Sequence, residues 1–198
     1  MVKLILASSS PRRRELLERL GLSFEVEAPG VDESRLPSEP AAAYVERVAR
    51  SKALAAVGPG RVAVAADTAV VHDGQILGKP AHPEEARAML RKLEGQSHEV
   101  FTGVAVAAFE DAVVISAVDV TEVVLLPMTS DEIEDYVDSG EPMDKAGAYA
   151  LQGRGGRFVE KVHGSPFTVV GFPLHLLPRL LARVGADFDE LTRHRAAD

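Results

Sequence analysis

The sequence predicts an α/β fold, and three observations support that prediction. Short apolar segments rich in valine and alanine alternate with stretches of helical periodicity. The helical stretches begin near a proline or a good capping residue, at Pro11, Pro40, Pro83, Ser130 and Pro173. A chain of 198 residues that is 46% hydrophobic can bury one sizeable core or two lobes. We therefore expect strand, helix, strand, helix, long strand, hairpin, helix, several strands, helix, glycine-rich loop, strands and a final helix.

Composition excludes several classes of protein. The formal net charge of −8 argues against affinity for long nucleic acids, although a focused basic cleft could still bind one small anion. The chain has no cysteine, which excludes disulfides, thiolate chemistry and cysteine-ligated metal sites. No apolar run approaches the length of a membrane span, and the first apolar segment is too short for a signal peptide. We expect a cytoplasmic protein that does not associate with membranes.

The first predicted strand, over residues 4–7, is followed by three serines and then by a predicted helix. The sequence of this junction indicates an anion site. Ser10 is a favoured N-cap residue and Pro11 suits the first helical position, so three arginines follow in the first turn. Cations are unfavourable at that end of a helix unless an anion is bound there, and a phosphate would also accept hydrogen bonds from the free backbone N–H groups. The junction therefore has the layout of a phosphate-binding site.

The three arginines differ in the direction that helical spacing gives them. Arg14 lies four residues before Glu18 in a position for a surface ion pair. Arg13 shares the stripe of the helix's leucines, and Arg12 lies at its edge, so both are directed toward the protein. The alternative is that Arg12 and Arg13 pack only their aliphatic stems and keep their charged groups in water.

A second helix, over residues 41–57, places a lysine on its apolar side. Val45, Val48, Lys52 and Ala55 form one stripe. A single lysine in such a position is more often a residue that extends to solvent than a ligand contact. Glu33, in the loop before this helix, has no evident meaning by itself.

The strand over residues 62–72 contains one carboxylate, Asp67, within an apolar run. A buried carboxylate costs several kcal/mol unless it is paired, hydrogen-bonded or metal-bound, so we expect partners for it. The alternative is an edge position or a strand end, where Asp67 would cap a loop.

Asp73-Gly74 predicts a two-residue hairpin turn after that strand. Counting back from the turn pairs His72 with Gln75 and brings Thr68 level with Lys79, which would put a cation beside Asp67. The alternative is that Lys79 is a solvated residue at the end of the hairpin.

The later part of the chain adds strands over residues 101–109 and 113–126 and a glycine-rich segment over residues 147–156. Gln152 in that segment offers an amide donor and acceptor suited to the edge of a nucleobase, although glycine segments more often form turns. We expect one domain over residues 1–190 and a frayed tail over residues 191–198.

Four separated segments together resemble the Maf family of nucleoside triphosphate pyrophosphatases: residues 8–13, 66–68, 78–80 and 144–149, the last leading into Gln152 and Gly153. The resemblance implies a mixed twisted sheet flanked by helices, with two lobes and a central cleft, as in the ITPase-like fold. It also implies a homodimer and a divalent metal ion, Mg²⁺ or Mn²⁺. The implied reaction hydrolyses a nucleoside triphosphate to the monophosphate and pyrophosphate.

The resemblance also assigns roles to residues. The groups that would hold the triphosphate are Ser8, Arg12, Arg13, Lys52 and Lys79. Glu33 and Asp67 would hold the metal ion, and Asp67 would accept the proton of the attacking water.

Within the family, Arg12, Thr68 and Gln152 resemble the branch that acts on dTTP and UTP, with CTP and modified pyrimidine nucleotides as further candidates. An enzyme with that activity would have a house-cleaning role, in which it limits incorporation of non-canonical nucleotides. One alternative is 7-methyl-GTP pyrophosphatase activity, although that branch carries an aromatic residue, a glutamine and a glutamate at the three positions. Another is a nucleotide-binding regulator of cell division or septum formation.

Overall fold

The computed structural model describes residues 2–110 and 113–193. Its strands are β1 (Lys3–Leu6), β2 (Glu25–Val26), β3 (Arg61–His72), β4 (Gln75–Leu77), β5 (Ser97–Ala108), β6 (Val113–Leu125) and β7 (Val159–His163). Its α-helices are α1 (Pro11–Arg19), α2 (Ala41–Ala56), α3 (Pro83–Leu93), α4 (Ser130–Asp138), α5 (Pro166–Val170), α6 (Leu177–Arg183) and α7 (Phe188–Arg193). Short 3₁₀ segments lie at Glu141–Asp144, Ala146–Ala148, Arg154–Phe158 and Leu174–Leu176. The predicted α/β class is confirmed.

The strands form one seven-stranded mixed sheet in the order β2-β1-β3-β5-β6-β7, with β4 paired to β3. β1 runs parallel to β2 and to β3, and β7 runs antiparallel to β6. Leu6 is level with Val64, so the last residue of β1 lies beside the fourth residue of β3, three residues before Asp67. This pairing fixes the end of β1, where Ser8 and α1 follow, relative to the strand that carries Asp67.

The chain divides into two compact units. Unit 1 is built from the described residues of Met1–Asp67, Thr102–Asp119 and Gly171–Asp198. One core cluster of unit 1 consists almost entirely of small side chains from β1 and the residue after it, and from α2, β3 and β5: Ile5, Ala7, Ala49, Ala53, Ala56, Ala63, Ala65, Ala105 and Ala107. Small residues allow a close approach, and a Cβ at Gly103 would lie 2.5 Å from the carbonyl oxygen of Val45. Helix α2 therefore packs closely against β5.

Unit 2 comprises Thr68–Phe101 and Val120–Val170. Its core contains larger side chains, among them Leu90 of α3, Ile133 and Tyr136 of α4, and Phe158. A capping box starts α4, since the Thr129 hydroxyl accepts from the Glu132 N–H and the Glu132 carboxylate accepts from the Thr129 N–H.

Unit 2 also buries a histidine. His98 of β5 is 3% exposed, and its Nε2 lies 2.8 Å from the hydroxyl of Tyr149. Its Nδ1 has no hydrogen-bond partner among the described residues. Burial, with a further contribution from His72, lowers the pKa of His98 to about 4.

Several local predictions need correction. Ser10 occupies the N-cap position of α1, but its side chain does not make the capping bond. The apolar stripe of α2 turns inward at Ala56, whereas Ala55 is exposed. The chain after Pro173 first forms the 3₁₀ segment Leu174–Leu176, and α6 begins only at Leu177. The capping bond, the inward face of a helix and the exact start of a helix all depend on tertiary packing, which local sequence propensity does not describe.

The predicted frayed tail over residues 191–198 is only partly covered by the described residues. Residues 191–193 of the expected tail complete α7, and residues 194–198 lie outside the described residues. The single domain over residues 1–190 stays a prediction. None of the helices in the described part of the chain has the length and apolar character needed to cross a bilayer.

Candidate active site

The N-terminal turn of α1 aims one guanidinium into unit 1. Arg13 Nε donates to the carbonyl oxygen of Gly171 at 2.8 Å, and its Nη1 donates to the carbonyl oxygen of Ala66 at 2.7 Å. The same Nη1 lies 3.4 Å from Oγ of Ser8, which is itself buried and accepts from the Ser10 N–H at 3.2 Å. Burial lowers the pKa of Arg13, and the negative charge of Asp67 opposes that shift. The expectation that Arg13 is directed inward is confirmed.

Arg12 is half-buried beside Arg13, whereas Arg14 is exposed and pairs with Glu18 at 2.8 Å. The three arginines therefore differ in position as predicted. Arg14 forms a surface ion pair, and Arg12 and Arg13 are partly buried.

A buried lysine joins two carboxylates in unit 1. Lys52 of α2 is 8% exposed, and its Nζ lies 2.9 Å from Oδ1 of Asp67 and 2.9 Å from Oε2 of Glu33. Asp67 is 7% exposed in β3, whereas half of the Glu33 side chain is exposed. The alternative positions for Lys52 and Asp67, a solvated lysine and a loop-capping aspartate, are excluded.

The environment of Asp67 favours proton uptake. Burial raises the pKa of the Asp67 carboxyl above its ordinary value, although Lys52 and Arg13 act in the opposite direction and Glu33 adds to the rise. A carboxylate with a raised pKa is a stronger base than an exposed one, so its protonation comes closer to neutral pH. Asp67 is therefore suited to accept a proton from water.

Two residues that sequence reasoning missed hold the loop of Glu33. The Tyr44 hydroxyl donates to the backbone carbonyl of Glu33 at 3.1 Å. Arg47 donates to both carboxylate oxygens of Glu39, at 2.7 and 2.8 Å, and to the carbonyl of Ser34 at 2.9 Å. The spacing of four residues from Tyr44 through Val48 to Lys52 places Tyr44 on the face of α2 that carries the lysine, and this spacing was the available signal.

Other candidate residues belong to unit 2. Thr68 follows Asp67 in β3 and is half-buried, while Lys79 and Gln152 are exposed. The hairpin prediction is confirmed for His72↔Gln75 and Val70↔Leu77. Its extension to Thr68 and Lys79 is wrong, because β4 ends at Leu77.

A hydrogen bond outside the hairpin holds the chain just after β4. The carbonyl of Gly78, which faces away from β3 in this register, accepts from the N–H of Gly147 at 3.1 Å, and Lys79 follows it. Pro80, which has no N–H group, follows immediately.

The described residues therefore bring together Ser8, Arg13, Glu33, Lys52 and Asp67, with Arg12 next to them in α1. This set combines a buried carboxylate whose pKa is raised, two fixed cations and a hydroxyl, and groups of these kinds can deprotonate water and stabilise an anionic oxygen. Within residues 2–110 and 113–193, no three histidine, aspartate or glutamate side chains converge on a position that could hold a metal ion.

A solved structure shows the same fold. The Staphylococcus aureus Ham1 protein aligns with 91% of this chain and 98% of its own, with a TM-score of 0.52 and 13% sequence identity. At that identity the similarity concerns the fold alone, and it agrees with the predicted mixed sheet flanked by helices.

Sequence relatives extend over nearly the whole chain. A protein of Anaeromyxobacter dehalogenans named dTTP/UTP pyrophosphatase is 54% identical over 185 residues, which cover 92% of this chain and 94% of that protein. A protein of Vibrio cholerae with the same name is 49% identical over 182 residues, covering 90% and 96% of the two chains. The family model described as Maf-like protein matches residues 3–184. With that match over nearly its full length, the chain belongs to the Maf family.

Proposed function

We propose that this chain hydrolyses dTTP and UTP to the nucleoside monophosphate and pyrophosphate. The relatives that carry the name dTTP/UTP pyrophosphatase are about half identical to it, and the two alignments cover 92% and 90% of the chain. The structural observation that carries the proposal is the buried Lys52, whose ammonium lies 2.9 Å from both Asp67 and Glu33. This arrangement keeps a basic carboxylate and a fixed cation together, away from bulk water.

The chemistry follows from those groups. A water oxygen attacks the α-phosphorus, the bond from that phosphorus to the bridging oxygen breaks, and pyrophosphate leaves with the electron pair. The water proton passes to a carboxylate oxygen of Asp67, which its raised pKa favours. Negative charge accumulates on the bridging and equatorial oxygens, where Arg12, Arg13 and Lys52 stabilise it and Ser8 donates a hydrogen bond. Lys79 is assigned to the triphosphate by the family resemblance alone.

The donor set fits a divalent cation that arrives with the nucleotide. Glu33 and Asp67 offer two carboxylates near one point, since both lie 2.9 Å from the same ammonium. Mg²⁺ is commonly held by one or two carboxylates together with substrate phosphates. Glu33 and Asp67 would therefore hold Mg²⁺ or Mn²⁺, which when bound neutralises phosphate charge and makes a coordinated water more acidic.

Three residues support the choice of a pyrimidine. Arg12, Thr68 and Gln152 match the dTTP/UTP branch of the family, and the amide of Gln152 can both donate to and accept from the edge of uracil or thymine. CTP and modified pyrimidine nucleotides are secondary substrates in this proposal. The biological role would be removal of nucleotides that should not enter nucleic acids.

The test is pyrophosphate release with Mg²⁺ or Mn²⁺ from dTTP, UTP, CTP, modified pyrimidine triphosphates, purine triphosphates and 7-methyl-GTP. We expect preferential turnover of dTTP and UTP, and an Asp67→Asn variant with kcat at least about 100-fold lower because it lacks the proton acceptor. Asp135→Asn, at an exposed position of α4, is the matched control and should retain full activity.

Other outcomes redirect the proposal. Preferential release from 7-methyl-GTP would move the chain to the other branch. Nucleotide binding without release from any substrate would remove the enzymatic reading and favour the regulator of cell division.

The homodimer implied by the family resemblance stays a prediction. Size-exclusion chromatography with light scattering tests it directly, because a dimer has twice the 21.2 kDa mass of one chain.

A further inference from the structure

The backbone on both sides of Gln152 is anchored by one pair of side chains. Tyr136 lies near the end of α4, and Glu141 begins the 3₁₀ segment that follows. The Tyr136 hydroxyl accepts from the N–H of Ala150 at 3.1 Å and donates to Oε1 of Glu141 at 2.8 Å. The chain entering the Gln152 segment is thus tied to α4.

Glu141 ties down the chain that leaves Gln152. Its Oε1 accepts from the N–H of Gly155 at 2.9 Å, and its Oε2 accepts from the N–H of Arg154 at 3.0 Å. Both carboxylate oxygens are therefore used on the backbone of this segment. We call residues 150–155 the glutamine loop, and Tyr136 with Glu141 its clamp.

The glycines of the loop are the counterpart of the clamp. A Cβ at Gly153 would lie 2.6 Å from Oε2 of Glu141, and a Cβ at Gly155 would lie 2.3 Å from the hydroxyl of Tyr136. Real Cβ atoms do not come that close to an oxygen, so any larger residue would push the clamp away. Gly153 and Gly155 thus allow close contact with Glu141 and Tyr136.

The charge on Glu141 strengthens the clamp. Burial favours the neutral acid, but hydrogen bonds from the Arg154 and Gly155 N–H groups and from Tyr136 outweigh it, so the pKa of Glu141 is lowered. Hydrogen bonds to an ionised acceptor are stronger than those between neutral groups.

We propose that Tyr136 and Glu141 are positioning residues for base selection, because they fix the backbone from which the Gln152 amide meets the pyrimidine. This inference rests on the proposed function and on the role of Gln152 in it. Gln152 is exposed, so its place is set by the loop that carries it. Hydrogen-bond selection among bases depends on donor and acceptor position, so a loosened loop lowers selectivity before it lowers turnover.

The experiment compares Glu141→Gln and Tyr136→Phe with the unmodified chain. In Glu141→Gln an amide NH₂ replaces one acceptor oxygen and opposes a backbone donor; in Tyr136→Phe only the hydroxyl is lost. For both variants we expect the ratio of kcat/KM for UTP to that for GTP to fall at least about fivefold. The larger share of the change should be in KM.

Glu132→Gln is the matched control. This exposed carboxylate also holds a backbone N–H group of unit 2, that of Thr129, but it does so in the capping box of α4. It should lower thermal stability without changing the ratio between UTP and GTP. A ratio that falls equally in Glu132→Gln would assign the effect to general loosening of unit 2 and overturn the inference.

A double-mutant cycle connects the clamp to Gln152. In a Gln152→Ala background, Glu141→Gln should cause no further loss of the ratio, because the amide that it positions is gone. Independent, additive losses would overturn the inference.

Hydrogen–deuterium exchange gives a readout that does not depend on turnover. The amides of Arg154 and Gly155 should exchange at least about tenfold faster in Glu141→Gln than in the unmodified chain. Unchanged exchange would show that the carboxylate does not hold the loop.

The outcomes separate the two proposals. Absence of nucleotide turnover in the unmodified chain removes the proposed function, and the positioning role with it. Turnover with a preference that Gln152→Ala abolishes and the clamp variants leave intact removes the positioning role alone.

Discussion

Lys52 is the residue on which the charges of the candidate active site depend. Its ammonium is buried between Asp67 and Glu33, and a buried ion pair that loses one partner leaves the other charge uncompensated. The lysine is thus both a candidate for phosphate contact and the balancing charge for a buried aspartate.

Lys52→Met, which keeps the length and apolar stem of the side chain, should lower the free energy of unfolding by about 3 kcal/mol. This value lies at the lower end of the cost expected for removing one partner of a buried ion pair, because the Glu33 side chain is half exposed. Urea denaturation at pH 7 measures it.

Lys3→Met is the control for that experiment. Lys3 also lies 2.9 Å from a carboxylate, that of Glu25, but both side chains are more than half exposed, so no resolvable change is expected. Equal effects of the two substitutions would contradict the assigned burial of Lys52.

Single residues could be predicted where chemistry and pattern conflict. Asp67 stood out because a carboxylate in an apolar run requires partners, and the structure supplies them. Lys52 was placed on the apolar stripe of α2, but its residue pattern favoured a lysine that extends to solvent, and its burial between two carboxylates depends on the fold. Glu33 had no such signal, since an exposed loop carboxylate resembles any other. Its contact with Lys52 depends on the course of a loop that Tyr44 and Arg47 hold, and local sequence does not specify that course.

At the scale of elements, the close packing of α2 on β5 determines where Lys52 lies. Gly103 is the point of closest approach, because a Cβ there would fall within 2.5–2.8 Å of the backbone of Val45 and Glu46. A methyl group at this position cannot be accommodated by a side-chain rotation, since the atoms that it meets are backbone.

Gly103→Ala should therefore destabilise the chain by about 2 kcal/mol, as overpacking of a tight core does, and should lower activity by displacing α2. Thermal denaturation and the pyrophosphate assay together measure the two effects.

Gly30→Ala serves as the comparison, because a Cβ there meets no atom within 4 Å and Gly30 is exposed. A similar loss in both variants would contradict the tight-contact explanation.

The hairpin shows how far element prediction reaches. Asp73 and Gly74 both have positive φ, at 48° and 72°, as their turn requires, and the sequence predicted the turn and its first pairs correctly. The predicted pairing failed past Leu77, where β4 ends and the carbonyl of Gly78 accepts instead from the N–H of Gly147. A partner nearly 70 residues away is outside what local turn chemistry encodes.

At the scale of the whole molecule, the free energy of unfolding depends on pH wherever the unfolded chain binds more protons than the folded chain. His98 has a pKa of about 4 when folded, below the 6.5 of an unperturbed histidine. Between these values the unfolded state binds more protons, so the free energy of unfolding falls as the pH is lowered from about 6.5 to about 4.

We expect His98 to contribute roughly 3 kcal/mol to that loss by pH 4. His98→Gln, which cannot be protonated but keeps a polar group near Tyr149, should show a shallower decline in urea midpoint across this window. His163→Gln, at an exposed position of β7, should follow the unmodified chain. Parallel curves for His98→Gln and the unmodified chain would contradict the assignment.

The fold class could be predicted because its signals run along the whole sequence. Strand-like apolar segments alternate with stretches of helical periodicity, and prolines stand near the helix starts. The strand order could not, since β1 lies between β2 and β3 through pairings that link distant segments. The division of the candidate residues between two compact units was likewise not encoded in any one motif.

Lys52 and Arg13 together supply the countercharge for Glu33 and Asp67, because the ammonium contacts both carboxylates and the guanidinium interacts electrostatically with both. A polypeptide leaving the ribosome can therefore reach its native state with no divalent ion at hand, because the countercharge is covalently part of the chain. Under the proposed mechanism, scarcity of a divalent ion in the growth medium would then limit how fast each copy works, while we expect the abundance of the protein and its resistance to proteolysis to be unaffected.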